Sequence, residues 1–382
     1  MPRSKFQNWC CFVLVLTLGT TSCAVSSSNE AGSNTPNPTR PAATATQTPP
    51  TTGLGASAAP TSVAPTTTST ETTASTTALT PSTTALAPST TTAITTTTSI
   101  PAVAITRYGI PVRVSEANED GWAVIDPCGK PKTVSKIFPI HNVEVVLDPG
   151  HGGKDPGTRG PTGLTESEIN LEVAVAVSQI LKQEGFSTFL TRSGDHYISL
   201  NERIALGDAA NAAAFISIHH NAPKAAASKT PGTEVFAQSG DSESARLAGL
   251  LHQEVFDVLK TIDGVQWTSR WDAGALRVVN SEGKDAYSLV RRPETTNALI
   301  EIAYLASPSE GTFMAGDEYV PLVASPLAKA IRTFLTTNQD GTPLLERARI
   351  HNPSGGRTIC PDIALESKRQ MQQVELPLRL IW

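Results

Sequence analysis

Two histidines and two glutamates stand where the strand-like and helix-like runs of this sequence begin, end or are interrupted. His151 lies in a glycine-rich loop, Glu166 at the start of a helical run, His219 at the end of an apolar run, and Glu301 inside another. His, Glu and His form a set suited to one catalytic zinc ion, with three protein ligands and a fourth position for water. Zinc lowers the pKa of such a water to about 7. A further carboxylate must then carry the proton to a leaving group, and Glu301 is the candidate. Each residue also has an ordinary reading. A histidine in a glycine loop is commonly a turn or surface residue, and an acid near a helix N-terminus is favoured by the helix dipole. Local grammar helps with Glu166: Thr165-Glu-Ser-Glu168 fits a capping box, which turns Glu168 back on Thr165 and leaves Glu166 free to face the loops. Glu301 interrupts the apolar run 298–305, where an unpaired carboxylate costs on the order of several kcal/mol. The set is scattered over separate elements, unlike the compact His-Glu-x-x-His helix of many metalloproteases.

The elements that must position these side chains follow from hydrophobic periodicity. A strand over 143–147 feeds the loop Asp148-Pro-Gly-His-Gly-Gly153. A helix over 167–184 carries Ile169, Val173, Val177, Ile180 and Leu181 on one face and stops at Gly185. Strands follow at 187–191, 215–218, 234–237 and 298–305, with helices at 201–212, 242–259 and 321–335. Alternating strands and helices predict an α/β fold: a single three-layer domain with a mostly parallel or mixed central sheet flanked by helices. Chemistry in such folds collects in the loops beyond the strand ends. Residues 105–141 hold short β-type runs (110–114 and 122–125) between turns, a small β lead-in packed on the main domain.

The two ends of the 382-residue chain are of another kind. Arg3 and Lys5 precede a short apolar run over 10–18, which reads as an export signal covering 1–22, since a bilayer-spanning helix needs about 20 apolar residues. Cys23 follows small residues and resembles the lipidated cysteine of bacterial lipoproteins, although Thr20 stands where those signals usually carry Leu; ordinary cleavage and free secretion is the alternative. Residues 23–104, rich in Thr, Ser, Ala and Pro, predict a disordered linker. The expected division is therefore 1–22 signal, 23–104 linker, 105–141 lead-in, 142–338 catalytic domain and 339–382 tail. Cys128 and Cys360 remain, either as a disulfide suited to an oxidising compartment or as two separate thiols. A net charge of −5 gives no basic field for nucleic acid.

Several motifs, in order, resemble those of the zinc-dependent N-acetylmuramoyl-L-alanine amidases of bacterial cell division and sporulation. They are Val-Val-Leu-Asp-Pro-Gly-His-Gly-Gly-Lys-Asp-Pro-Gly157, Gly-Leu-Thr-Glu-Ser-Glu-Ile-Asn-Leu171, Leu-Thr-Arg192 with Leu200-Asn-Glu-Arg203, Phe-Ile-Ser-Ile-His-His-Asn-Ala222 and Ala-Leu-Ile-Glu-Ile-Ala-Tyr-Leu305. The resemblance covers about residues 143–335. It implies His151, Glu166 and His219 as zinc ligands, Glu301 as catalytic glutamate and peptidoglycan as substrate, cut between N-acetylmuramic acid and L-alanine. With the signal-type start, the expectation is an exported enzyme of the cell envelope, lipid-anchored at the outer face of the plasma membrane or secreted to the wall, with room for an unidentified protein activator. Two departures stand out: His220 follows His219 where the family commonly has Ala, and the last strand reads Glu-Ile-Ala-Tyr304 where Gly and Phe are frequent. Strand alternation sends His220 to the opposite face from His219. Asn170 and Arg192 read as framework, Asp148 as loop geometry, and Asp155 as the other nearby acid. Arg291 and Arg292 either hold a stem-peptide carboxylate or form a solvated basic pair. The rival readings are a catalytically silent wall-binding or regulatory relative, a zinc exopeptidase, and an adhesin or stalk suggested by the Thr-rich segment.

Overall fold

The computed structural model describes residues 100–354, 359–361 and 363–366. The signal-type start, Cys23 and the Thr-rich run up to residue 99 lie outside the described residues. No described helix is long and apolar enough to cross a membrane.

The lead-in is a five-stranded sheet. Its strands are β1 (Val103–Thr106), β2 (Pro111–Asn118), β3 (Gly121–Ile125), β4 (Pro131–Val134) and β5 (Ile137–Ile140), in the order β4-β3-β2-β1-β5. It begins earlier than expected: Val103 and Ala104 fall in the span read as linker, yet both are buried in β1. They pair antiparallel with β2 and β5, and that pairing satisfies their backbone. Beneath the sheet, Ala104, Ile110, Val112, Val124, Val134 and Ile137 pack with Ile363 and Leu365 from the far end of the chain. A Cys128–Cys360 disulfide fastens that end, and both Ser135 N and Ser135 Oγ donate to Glu366 Oε1 (2.8 and 2.7 Å).

The larger unit contains β6 (Val145–Pro149), α1 (Glu166–Gln183), β7 (Thr188–Leu190), α2 (Leu200–Ala210), β8 (Ala214–Asn221), β9 (Ala226–Ser228), β10 (Glu234–Ala237), α3 (Ser242–Leu259), β11 (Trp267–Ser269), β12 (Ala275–Leu276), β13 (Val278–Val279), α4 (Ser288–Arg291), β14 (Asn297–Tyr304), α5 (Pro308–Met314), α6 (Tyr319–Thr336) and β15 (Arg349–Ile350). Six strands form the central sheet in the order β12-β10-β14-β8-β6-β7. Strands β7, β6, β8 and β14 run parallel, whereas β10 lies antiparallel to β14 and makes the sheet mixed.

Side-chain alternation gives each face its own core. Val145, Leu147, Ile216, Ile218, Val235 and Ile300 face α1, α3 and α6, whose Val173, Val177, Leu251, Val255, Val323 and Leu327 close the layer. Val146, Phe215, Phe236 and Leu299 face the other way, against Ile204 of α2 and Leu289 and Val290 of α4. Burying each such aliphatic side chain contributes about 1.5–3 kcal/mol. Helix α2 ends at Ala210, two residues before the periodicity predicts, because Asn211 turns into the left-handed region (φ 50°) and breaks the ladder. Strand β8 runs further than the apolar pattern suggests, through both histidines to Asn221, since β14 continues beside it.

Candidate metal centre

Three elements bring the candidate ligands together. His151 hangs in the loop after β6 with φ 62°, a left-handed conformation uncommon for a residue with a side chain. Two buried arginines hold that loop by its carbonyls. Arg192 donates to Pro149 O, Gly150 O and Ser167 O (2.8, 2.9 and 2.7 Å), and Arg203 donates to Pro149 O and His151 O (2.7 and 2.5 Å). Asp148 compensates Arg203 at 2.7 Å and also accepts from Thr191 Oγ1 and Ser217 Oγ (2.5 and 2.7 Å). The Asp148 carboxyl is therefore framework beneath the centre and not one of its ligands. Asn170, also read as framework, donates to Gly150 O at 3.3 Å.

Glu166 opens α1. The capping box is present, with Thr165 and Glu168 exchanging hydrogen bonds, so Glu166 is left to reach the loops. Its Oε2 accepts from Thr158 N at 2.9 Å. Its Oε1 lies 3.1 Å from His151 Nε2 and 3.0 Å from His219 Nδ1. One donor atom from each of His151, Glu166 and His219 falls within a 4.8 Å cluster. Asp155 Oδ2 lies 3.0 Å from His151 Nδ1, the ring nitrogen other than the one near Glu166. Close packing explains two glycines. A Cβ on Gly150 would meet the His219 ring at 2.2 Å, and one on Gly157 (φ +63°) would meet Glu166 Oε2 at 2.5 Å.

Strand pairing places the second carboxylate. Glu301 on β14 is in register with His219 on β8 and with Glu234 on β10. Residues in register leave a sheet on one face, so these three form a row beside Glu166. His220 leaves on the opposite face, buried against Asn170 Oδ1 (2.7 Å) and Tyr319 Oη (2.8 Å). Burial pushes its pKa down to about 3.

The electrostatics divide the two glutamates. Burial works against a charge on Glu166, but His151 and His219 hold its carboxyl well below the usual range. Burial, followed by the Glu166 and Glu234 carboxylates, drives Glu301 well above it. Glu301 Oε2 and His219 Nε2 are buried without a hydrogen-bond partner among the described residues. Two imidazoles and a carboxylate converging beside an uncompensated carboxyl and an unused ring nitrogen fit a divalent cation with nitrogen–oxygen preference, as zinc has.

Other residues weighed from the sequence lie apart. Arg291 donates to Asp285 O and Ala286 O, and Arg292 donates to Asn201 Oδ1 at 2.6 Å; both serve the structure around α4. Arg349, unremarkable within its tail sequence, forks onto Glu234 with 2.7 and 2.9 Å bonds. Only the folding back of β15 onto β13 brings it there, so no local signal could have revealed it.

A family model described as N-acetylmuramoyl-L-alanine amidase matches residues 145–333. YqiI of Bacillus subtilis, a protein of uncharacterised role, is 30% identical over 220 residues, covering 56% of this chain and 97% of its own. The chain belongs to the N-acetylmuramoyl-L-alanine amidase family. Among the relatives, the amidase AmiA of Escherichia coli is 28% identical over 50% of this chain and 75% of its own length. The chain spans about half of the amidase AmiC of Neisseria meningitidis, 53%, at 26% identity. The solved amidase AmiC2 of Nostoc punctiforme is 30% identical over 50% of this chain and 97% of its own, with a TM-score of 0.43. All four residues of the candidate amidase centre fall inside the matched segment.

Proposed function

We propose that this protein is a zinc-dependent peptidoglycan hydrolase that cuts the amide between N-acetylmuramic acid and the L-alanine of the stem peptide. The observation that carries the reading is the His151–Glu166–His219 cluster with Glu301 in register beside His219, in a chain of this family. His151, Glu166 and His219 hold the ion, and bound zinc supplies Lewis acidity toward a carbonyl oxygen and makes water a competent nucleophile near neutral pH. Glu301 takes the proton from the attacking water on a carboxylate oxygen. It then gives that proton to the alanine nitrogen as the C–N bond breaks, so that a carboxylic acid and a free amine leave. Asp155 fixes the His151 ring, while Arg192 and Arg203 hold the loop that carries it.

Residues 142–338 form the catalytic domain in this reading, flanked by the lead-in sheet and the tail. The signal-type start supports export, and the Cys128–Cys360 disulfide suits an oxidising envelope compartment. Cys23 is the candidate lipid anchor, with the Thr-rich segment as its reach into the wall. A silent relative is disfavoured because all four chemical positions are filled. An exopeptidase of two-metal type would need more ligands, and the metal-competent cluster found among the described residues contains only these three.

The deciding experiment incubates the full chain with a muramoyl-peptide and follows release of stem peptide with a free alanine amine by mass spectrometry. Parallel samples carry a chelator or the E301Q substitution. Zinc-dependent release, lost in E301Q, is expected; cleavage of a different bond would remove the amidase reading.

A further inference from the structure

The loop between β11 and β12 presents a guanidinium that the hydrolytic centre does not use. Arg270 follows β11 directly, and its Nε donates to Asp272 Oδ1 at 3.1 Å while its side chain remains 35% exposed. Asp272 is gripped from the other side by the tail. Arg349 Nε donates to Asp272 Oδ2 at 2.7 Å, and Arg349 Nη2 donates to Oδ1 and to the Asp272 carbonyl, both at 2.8 Å. The same Arg349 forks onto Glu234, the register neighbour of Glu301. A continuous chain of charge-assisted bonds therefore runs from the strand beside Glu301 to Arg270.

Backbone pairing fixes where this loop lies. Val235 N donates to Gly274 O at 2.9 Å, so residues 270–274 pass near Glu234, at the same end of the sheet as the candidate metal centre. Two bonded links, Arg270 to Asp272 and Arg349 to Asp272 and Glu234, separate this guanidinium from the register neighbour of Glu301. Asp272 occupies the Nε of Arg270, and the terminal fork is left to meet solvent or ligand. Trp271, 92% exposed, stands next to it.

We propose that Arg270 anchors a free carboxylate of the stem peptide on the leaving-group side of the scissile amide, with Asp272 and Arg349 as the positioning residues that aim its fork. The inference rests on the amidase reading and deepens it by naming what the site recognises. A planar guanidinium fork matches a carboxylate bidentately, and a rigidly held donor loses little entropy on binding. Arg291 and Arg292, the other basic candidates, are committed to protein partners.

The test uses the full zinc-loaded chain as wild type, R270Q and R270K. Calorimetric titrations compare L-Ala-D-Glu capped as its γ-methylamide, with only the α-carboxylate free, against the same compound amidated there as well. KM and kcat are measured on the two matching muramoyl-dipeptides. The wild type is expected to bind the carboxylate form about fivefold to tenfold more tightly, a span set by one charge-assisted pair at a partly exposed site. R270Q should bind both forms alike, at the level of the amide, with KM following and kcat changed less than about threefold. R270K should keep part of the preference. An R270Q protein that still prefers the carboxylate, or a wild type that binds neither form or shows no preference, overturns the proposal. A wild type that prefers the carboxylate yet cleaves neither substrate removes the amidase reading and leaves the anchor standing.

Discussion

Glu301 and His219 are register partners on adjacent parallel strands, so the second carboxylate stands beside an imidazole of the candidate metal cluster on one face of the sheet. Such a carboxyl is costly in the bare chain and useful next to a cation. Both properties can be measured in E301Q. Its kcat should fall by about 10²–10⁴-fold, the span general acid–base catalysis contributes, while zinc content by elemental analysis stays at one per chain. The metal-free E301Q protein should melt at or above the metal-free wild type, because an unpaired buried carboxyl has been replaced by a neutral amide.

The adjacent histidines should separate cleanly. H219A is expected to lose zinc and activity together. H220A should retain zinc and lower stability by about 1–3 kcal/mol, since Asn170 and Tyr319 lose a buried partner. Elemental analysis beside thermal melting checks both; loss of zinc in H220A with full retention in H219A would exchange their roles.

Acid should destabilise the fold through histidines buried in neutral form. Burial holds His252 at about 4, against 6.5 for the free side chain, and its Nδ1 lies 3.0 Å from Thr342 Oγ1. Between those two values the unfolded chain binds the extra proton. The stability contributed by neutral His252 is therefore complete above pH 6.5 and is lost as the pH falls from there through about 4. By pH 5 the loss is on the order of 2 kcal/mol. Melting curves of wild type and H252Q at pH 7 and pH 5 should show a smaller acid shift in the variant.

Breaking the clamp under the His151 loop should be severe. R203M leaves the buried Asp148 carboxylate without its cation, an arrangement that costs about 3–5 kcal/mol. It also frees the His151 carbonyl. Zinc affinity should fall along with the melting temperature, whereas K284M, whose exposed ion pair with Glu282 lies on the surface, should change neither by a measurable amount.

The sequence is most legible where function and geometry share a local pattern. His151, Glu166 and His219 each sit at an element boundary marked by glycine, a capping box or the end of an apolar run. Glu301 announces itself by breaking such a run. The sheet layering follows from period-two strands between period-3.6 helices, and α3 falls where its pattern predicts. What could not be read locally depends on distant pairing. Arg349 meets Glu234 across 115 residues of sequence, and Ile363 and Leu365 complete a sheet that starts at Val103. The early start of β1 was hidden for the same reason: Val103 and Ala104 follow a Thr-rich composition, and only their partners on β2 and β5 make them strand.

That last arrangement has a kinetic consequence. The lead-in sheet is synthesised well before Ile363 and Leu365, which complete its core. Contacts of such long sequence separation form slowly. A chain emerging N-terminus first leaves part of this sheet's apolar underside uncovered until Ile363 and Leu365 have arrived. A chain interrupted before Ile363 would therefore betray itself to proteases and chaperones at the β1–β5 sheet, far in sequence from the break.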